Sequence, residues 1–448
     1  MTGVKRLAGW IIALLAAALA LPAHAAEADC RIGAYRLADG RTLDIGPSEG
    51  AALRWRLEDG TTGKLVPAES GRWTSLLGWT DRPDGKSATF DCDRGILDFA
   101  GTAGTRIAFD VTDTRFQGAG AELAGRLILP RGDDAVPIVV LIHGAEHDSA
   151  IANYALQRQF PARGVGVFVY DKRGTGASGG RYTQDYLLLA NDAIAAVHEA
   201  RRLAGARAGR IGYQAGSQGG WVAPLAARIE PVDFVIVGFG LAVSPLEEDR
   251  EAIALNMHDH GYGPDVLARA MEVADATAAV MLSDFRSGYD RIEAVRRAYG
   301  GAPWFAHVRG NVSYALLGKS EAELREIGPA LLPGVPWQYD PMPVLRNLAV
   351  PQLWILAEND IDAPSAETAR RLKSLAAEGR PITTALFPRT EHGIYEYETG
   401  PDGERVSTRQ PDGYFRMMVD FIREGRIGAT YGPARISGDA PSAPPSVR

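Results

Sequence analysis

The segment Arg210-Ile-Gly-Tyr-Gln-Ala-Gly-Ser-Gln-Gly-Gly-Trp-Val-Ala-Pro224 constrains this chain more than any other. A short apolar run, Ile211 to Tyr213, gives way to small residues and resumes as Trp221-Val-Ala-Pro-Leu-Ala-Ala-Arg228. That pattern predicts a strand, a tight elbow and a helix, with Ser217 at the apex. A residue there takes a strained backbone conformation, so the positions two residues either side must be small. Ala215 and Gly219 meet that requirement, and Gly220 lets the helix pack close to the strand. The helix start also directs free N–H groups and a positive dipole end at whatever binds beside Ser217. A Gly/Ser loop that merely opens a helix gives a similar pattern, so the surrounding chain must decide.

Around the elbow, apolar runs alternate with a helical period. Val136-Pro-Ile-Val-Val-Leu-Ile142 ends in His143-Gly-Ala145-Glu-His-Asp148, and Val165-Gly-Val-Phe-Val-Tyr170 ends in Asp171-Lys-Arg-Gly-Thr-Gly-Ala-Ser178. Such near-continuous runs suit strands buried on both faces. A period near 3.6 predicts a helix over Tyr186 to Leu203, with Leu187, Ala190, Ile194 and Val197 on one stripe. Val232-Asp-Phe-Val-Ile-Val-Gly238 follows the elbow, and two strands able to pair, Arg106 to Val111 and Ala121 to Leu129, come before it. The expected fold class is α/β, a mostly parallel sheet with helices on both faces. Its site should lie at the carboxyl ends of the strands, where His143, Asp171 and Ser217 all fall.

The N-terminus reads as an address. Lys5 and Arg6 precede the apolar run Leu7 to Leu21, and Ala23-His24-Ala25 is a small-x-small cleavage site. Residues 1–25 are therefore expected to be a signal peptide, implying a periplasmic or extracellular protein. The run is too short to favour a stable membrane span. In an exported chain the two cysteines, Cys30 and Cys92, favour a disulfide. No His/Cys cluster accompanies them, so neither a metal nor a catalytic role is expected for the pair. Strand-like pieces punctuated by Asp59-Gly60 and Asp84-Gly85 predict a small all-β module over 26–102. The formal net charge of −7 is spread along the chain, which gives no footprint for nucleic acid.

Five pieces in order carry a resemblance: Leu141-Ile-His-Gly144, Tyr170-Asp-Lys-Arg-Gly-Thr-Gly-Ala-Ser178, Gly216-Ser-Gln-Gly-Gly220, Leu353-Trp-Ile-Leu-Ala-Glu-Asn-Asp360 and Glu391-His-Gly393. From about Thr105 to Gly425 the chain resembles the α/β-hydrolase superfamily, in particular secreted bacterial carboxylesterases and related serine hydrolases with an N-terminal β module. Ala215 departs from the usual glycine of the G-x-S-x-G elbow, but alanine is small enough to be tolerated. The resemblance implies a core over 103–243 and 346–430, with a helical cap insertion over 244–345 between them. Aromatics of that insertion, Trp304, Phe305, Tyr314, Trp337 and Tyr339, could line a pocket, although packing the cap is the plainer role for each. A disordered tail is expected over 431–448, with Pro441, Pro444 and Pro445 among small polar residues.

In this superfamily the catalytic order is serine, acid, histidine. Ser217 is then the nucleophile, and Asp360, with Pro364 four residues on, the acid, Asp362 and Glu358 being alternatives. His392, after the strand Thr383 to Phe387 and before a helix at Tyr414 to Ile422, is the base. The backbone N–H groups of Gln218 and Ala145 are the expected oxyanion donors, and His143 an orienter of the Ala145 loop. No metal or organic cofactor is implied. The substrate class is a small ester, or alternatively a short peptide if Glu247, Glu248 or Asp249 anchors an amine. A non-catalytic binding protein on the same scaffold is the remaining alternative.

Overall fold

The computed structural model describes residues 29–401 and 403–438. The signal-peptide reading of residues 1–25, and residues 439–448 of the expected tail, lie outside the described residues.

Eight strands come first: β1 (Gly33–Leu37), β2 (Thr42–Pro47), β3 (Leu53–Leu57), β4 (Thr62–Pro67), β5 (Trp73–Leu77), β6 (Pro83–Asp91), β7 (Ile96–Phe99) and β8 (Thr102–Arg106). Each pairs antiparallel with the next, and β8 returns to β1 to close a barrel. Alternate side chains point inward, among them Tyr35, Leu43, Ile45, Trp55 and Phe99. The buried Trp55 indole finds its partner in Ser75 Oγ at 2.8 Å. Cys30 and Cys92 are joined in a disulfide, their Cα atoms 5.6 Å apart. The barrel reaches further than residue 102 because Arg106 pairs with Tyr35 and its guanidinium donates to the carbonyls of Cys30 and Ile32. The next strand accordingly begins at Phe109, not at Arg106.

The rest of the chain builds one large sheet, a cap and a hairpin. In order these are β9 (Phe109–Gln117), β10 (Glu122–Pro130), β11 (Val136–Ile142), α1 (Ala150–Asn153), α2 (Leu156–Gln159), β12 (Gly166–Tyr170), α3 (Tyr186–Ala204), β13 (Ala208–Gly216), α4 (Gly219–Ile229) and β14 (Val235–Gly238). Six helices follow: α5 (Pro245–Asp259), α6 (Pro264–Leu282), α7 (Tyr289–Tyr299), α8 (Ser313–Gly318), α9 (Glu321–Leu331) and α10 (Met342–Arg346). Then come β15 (Gln352–Ala357), α11 (Ser365–Ala377), β16 (Ile382–Phe387), β17 (Thr390–Glu391), β18 (Tyr395–Thr399), β19 (Arg405–Arg409), α12 (Tyr414–Glu424) and β20 (Arg435–Ser437).

The sheet order is β20-β16-β15-β14-β13-β11-β12-β10-β9. The six strands from β16 to β12 run parallel, with antiparallel β10 and β9 at one side and β20 at the other. Period-two alternation divides each central strand between two cores. Ile138, Val140 and Ile142 pack with α3 and α4, whereas Val139 and Leu141 pack with the Met417, Met418 and Phe421 face of α12. The stripe on α3 is rotated from the expected one: Leu187 is 57% exposed, and Leu189, Ala190, Ala193, Ala196 and Val197 face the sheet. Asp185 caps the helix start, accepting from Leu188 N–H at 3.0 Å.

A capping box of Ser244 and Glu247 starts the insertion. Its aromatics mostly pack: Trp304 and Trp337 are buried within the cap, Phe305 lies against the same cluster as Trp304, and Tyr339 meets Tyr186 edge-on. Tyr314 alone of the five is exposed, with Arg309 over its ring. Residues 431–438 of the expected disordered tail are instead held in place. Tyr431 is buried, and its hydroxyl donates to Asp420 and accepts from Gly428 N–H, which holds the chain on course to β20. Among the described residues no helix is long and apolar enough to cross a membrane.

The disulfide spans a sequence separation of 62. In the chain-entropy account a closed loop of that size restricts the unfolded state by about 4 kcal/mol. Reduction should therefore add two hydrogens to the intact mass and move unfolding to lower urea. An unchanged mass would mean free thiols.

Candidate active site

Ser217 joins β13 to α4 with φ 51°, the left-handed region that non-glycine residues seldom adopt. Its N–H donates to Gly238 O at the end of β14 at 3.1 Å. A Cβ at position 219 would lie 2.9 Å from His143 O and 3.0 Å from Ala215 Cβ, so only glycine fits where the helix passes the strand. Ala215 itself is fully buried, and its methyl is accommodated.

Two later loops bring their side chains to the serine. His392 Nε2 lies 3.1 Å from Ser217 Oγ, and His392 Nδ1 lies 3.0 Å from Asp360 Oδ2 and 3.2 Å from Oδ1. Asp360, 1% exposed, follows β15 and is held by the N–H groups of Asp362 and Ala363, which donate to its Oδ1 at 3.1 and 2.8 Å. The alternative acids point elsewhere. Glu358 accepts from Arg435 and from Arg389 N–H, and Asp362 is exposed, with no hydrogen bond to His392. Asn359 N–H donates to Thr390 O, and Arg405 donates to Asn359 O, so the loop of Asp360 and the loop of His392 are tied to each other.

The electrostatics follow from this placement. Burial pulls the His392 pKa down, but the charge and hydrogen bond of Asp360, with Asp362 and Glu248 nearby, outweigh it and raise it to about 9. Phe239, itself at φ 43°, meets the imidazole edge-on with centroids 4.9 Å apart.

The loop 143–146 lies against the elbow, a Cβ on Gly144 being 3.4 Å from Ser217 Cβ. Among the described residues neither the Gln218 nor the Ala145 N–H has a protein acceptor. Both carbonyls of the loop are held from outside: Lys172 Nζ donates to Gly144 O at 2.7 Å, and Tyr182 OH to Ala145 O at 2.6 Å. Glu146 accepts from Gly144 N–H and from Tyr154 OH. His143 is buried with Nε2 3.0 Å from Tyr170 O, and burial depresses its pKa to about 4, leaving it neutral. Burial also lowers the Lys172 pKa, to about 8, against the opposing pull of Glu146. Lys172, Glu146, Tyr154 and Tyr182 were not singled out from sequence. Lys172 had a signal, since a lysine at the end of a buried strand is an expensive residue without a task.

The cap reaches the same place through Asn311, whose side chain donates to Glu248 and to Asp362 O. Of the three acids considered as amine anchors, Glu247 is engaged by Arg371 and the α5 cap, and Asp249 is buried on Val312 N–H, Ser313 N–H and Ser313 Oγ. Glu248 remains, half-buried near His392; burial raises its pKa against the opposing pull of the imidazole. No group of three or more His, Cys, Asp or Glu able to hold a metal ion occurs among the described residues.

No family model and no curated protein matches this chain. Among solved structures it is similar to the Pyrococcus furiosus esterase Pf2001, at 15% identity and TM-score 0.39 over 63% of this chain and 84% of that one. The Pyrobaculum calidifontis esterase is similar at 17% identity and TM-score 0.39, over 64% and 78% of the two chains. For the Pyrococcus horikoshii acylaminoacyl peptidase the figures are 14% and 0.38, over 78% of this chain and 52% of that one. It is the strand order, the antiparallel β10 beside five parallel crossovers, and the elbow after β13 that give this chain the α/β-hydrolase fold, with a closed N-terminal β-barrel and a helical cap.

Proposed function

We propose that this chain is an exported serine hydrolase that cleaves carboxylic esters through an acyl-enzyme. The observation that carries the reading is the unbroken chain of contacts from Ser217 Oγ through His392 to the buried Asp360. A serine hydroxyl is a weak nucleophile until a base accepts its proton. His392 Nε2 removes that proton as Oγ attacks the ester carbonyl, while Asp360 holds Nδ1–H and the correct tautomer. The oxygen of the tetrahedral intermediate lies toward the N–H groups of Gln218, at the start of α4, and Ala145, whose loop the Lys172 and Tyr182 hydrogen bonds fix in advance. Imidazolium then protonates the leaving alcohol, and water repeats the sequence on the acyl-enzyme.

Replacing Ser217 by alanine removes one oxygen from a turn that tolerates small residues. Stability should change by about 1 kcal/mol or less, while turnover of p-nitrophenyl esters falls about 10³-fold or more. Fluorophosphonate labelling should disappear with it. A folded Ser217→Ala protein with unchanged turnover would exclude the acyl-enzyme, and labelling of the native protein separates this reading from a non-catalytic binding protein.

Asp360→Asn should lower kcat by about 10⁴-fold, because the wrong tautomer then faces the serine; Asp362→Asn should cost far less. The base must be neutral to act, so kcat/KM should rise with pH through a midpoint alkaline of 6.5, toward about 9. The same raised pKa stabilises the fold fully below about 6.5, and that contribution is lost as pH rises through about 9. A midpoint at or below 6.5 would argue against a charged Asp360 beside His392.

Glu248 favours a second reading, hydrolysis of aminoacyl substrates whose ammonium group it would bind. A panel of p-nitrophenyl esters beside aminoacyl p-nitroanilides distinguishes the two. On the ester reading Glu248→Gln leaves ester KM essentially unchanged and no anilide is cleaved; on the peptidase reading it raises anilide KM selectively.

A further inference from the structure

The proposed chemistry makes no use of the eight-stranded barrel, yet the barrel rim is bonded to the hairpin that follows His392. At the β3–β4 turn, Gly60 O accepts the Gln410 N–H at 3.0 Å and Asp59 O accepts from Arg409. At the β5–β6 turn, Trp79 N–H donates to Ser407 O at 2.9 Å. The Trp79 indole meets the Tyr395 ring with centroids 4.6 Å apart, and Arg54 lies on the indole at 3.9 Å. At the two glycines of these turns the contact is backbone to backbone. A Cβ at Gly60 would sit 2.0 Å from Gln410 O, and one at Gly78 would sit 2.3 Å from Thr408 O, with φ +87° and +52° at the two glycines.

The hairpin residues gripped by the barrel pass the contact on. Ser407 Oγ donates to Glu391 Oε1 at 2.6 Å, and Gln410 Nε2 donates to Gly393 O at 3.1 Å. Glu391 and Gly393 are the two chain neighbours of His392. Each turn of the barrel rim thus reaches one flank of the histidine through a single intermediate residue. Gly393 takes φ +81° freely, but the branched Ile394 at φ +58° is strained, so local preference does not set this path and the loop needs outside support.

From this double link we infer that the barrel is a brace for the catalytic base, with Ser407 and Gln410 as positioning residues that hold His392 between Ser217 and Asp360. The inference rests on the reading of His392 as the base. Misplacing a catalytic group by about 1 Å can cost about 10²-fold in rate, which sets the expected size of the effect.

The test is a Ser407→Ala/Gln410→Ala double variant of the full chain, with Gly60→Val as a second disturbance from the barrel side and His392→Ala beside both. For the double variant, kcat on p-nitrophenyl acetate should fall about 10²-fold with KM little changed. The pH midpoint of kcat/KM should move down toward 6.5, and the downfield imidazole proton signal of His392 should weaken. Ser407→Thr, which keeps the hydroxyl, should restore the midpoint in a Gln410 background. If Gly60→Val does not fold, the double variant alone decides, since both its residues lie outside the barrel. Unchanged kcat and midpoint in the folded double variant, with His392→Ala inactive, would overturn the brace alone. Full activity in His392→Ala would instead overturn the reading of the base.

Discussion

The left-handed backbone at Ser217 costs about 1–3 kcal/mol, and it persists because packing leaves the elbow no alternative. Its N–H is engaged by the end of β14, Ala215 is buried before it, and α4 is buried along nearly its whole length after it. The strain is thus met by the parallel sheet, whose adjacent strands deliver His143, Ser217 and Phe239 to the same edge. Asp360 and His392 arrive there from the ends of the next two strands. A site assembled from five strand ends owes its geometry to sheet register more than to any one loop.

Much of this was legible before any coordinates. The elbow could be read because a strand period, small residues and a helix period follow one another within fifteen positions, each with its own steric reason. That Asp360 and His392 meet Ser217 was legible mainly through chain order, with Pro364 after Asp360 the one local cue and none setting His392 apart from other histidines. The hairpin of β18 and β19 was missed. Its strands, Tyr-Glu-Tyr-Glu-Thr and Arg-Val-Ser-Thr-Arg, bury no continuous apolar face, although the alternation of Tyr395 and Tyr397 hinted at the first. The phase of α3 was misread for a related reason: alanines bury as well as leucines do, and a stripe of Ala190, Ala193 and Ala196 is quieter than one exposed Leu187.

Charges are buried beside the elbow on both sides, and they are paired in ways that differ. Behind the loop 143–146, Lys172 and Glu146 lie within reach of each other's charge, and each hydrogen-bonds a backbone group of that loop. An isolated charge at such depth would cost several kcal/mol, which the opposite charge nearby and these hydrogen bonds offset. On the other side Asp360 has no arginine or lysine partner among the described residues; two N–H groups and the imidazole hold it.

The short strand β20 has a consequence for how molecules of this protein meet one another. Without Arg435–Ser437, β16 would present a row of unpaired N–H and C=O groups to solvent, a template for a strand from a second copy. Three residues suffice to occupy it, and Arg435, tied to Glu358, places a charge on the new border. At the opposite border β9 carries Asp110, Asp113 and Arg115, each engaged in an ion pair within the molecule. Both borders are therefore poor partners for sheet extension, and a trimmed C-terminal segment would expose a sticky edge long before it disturbed the centre of the sheet.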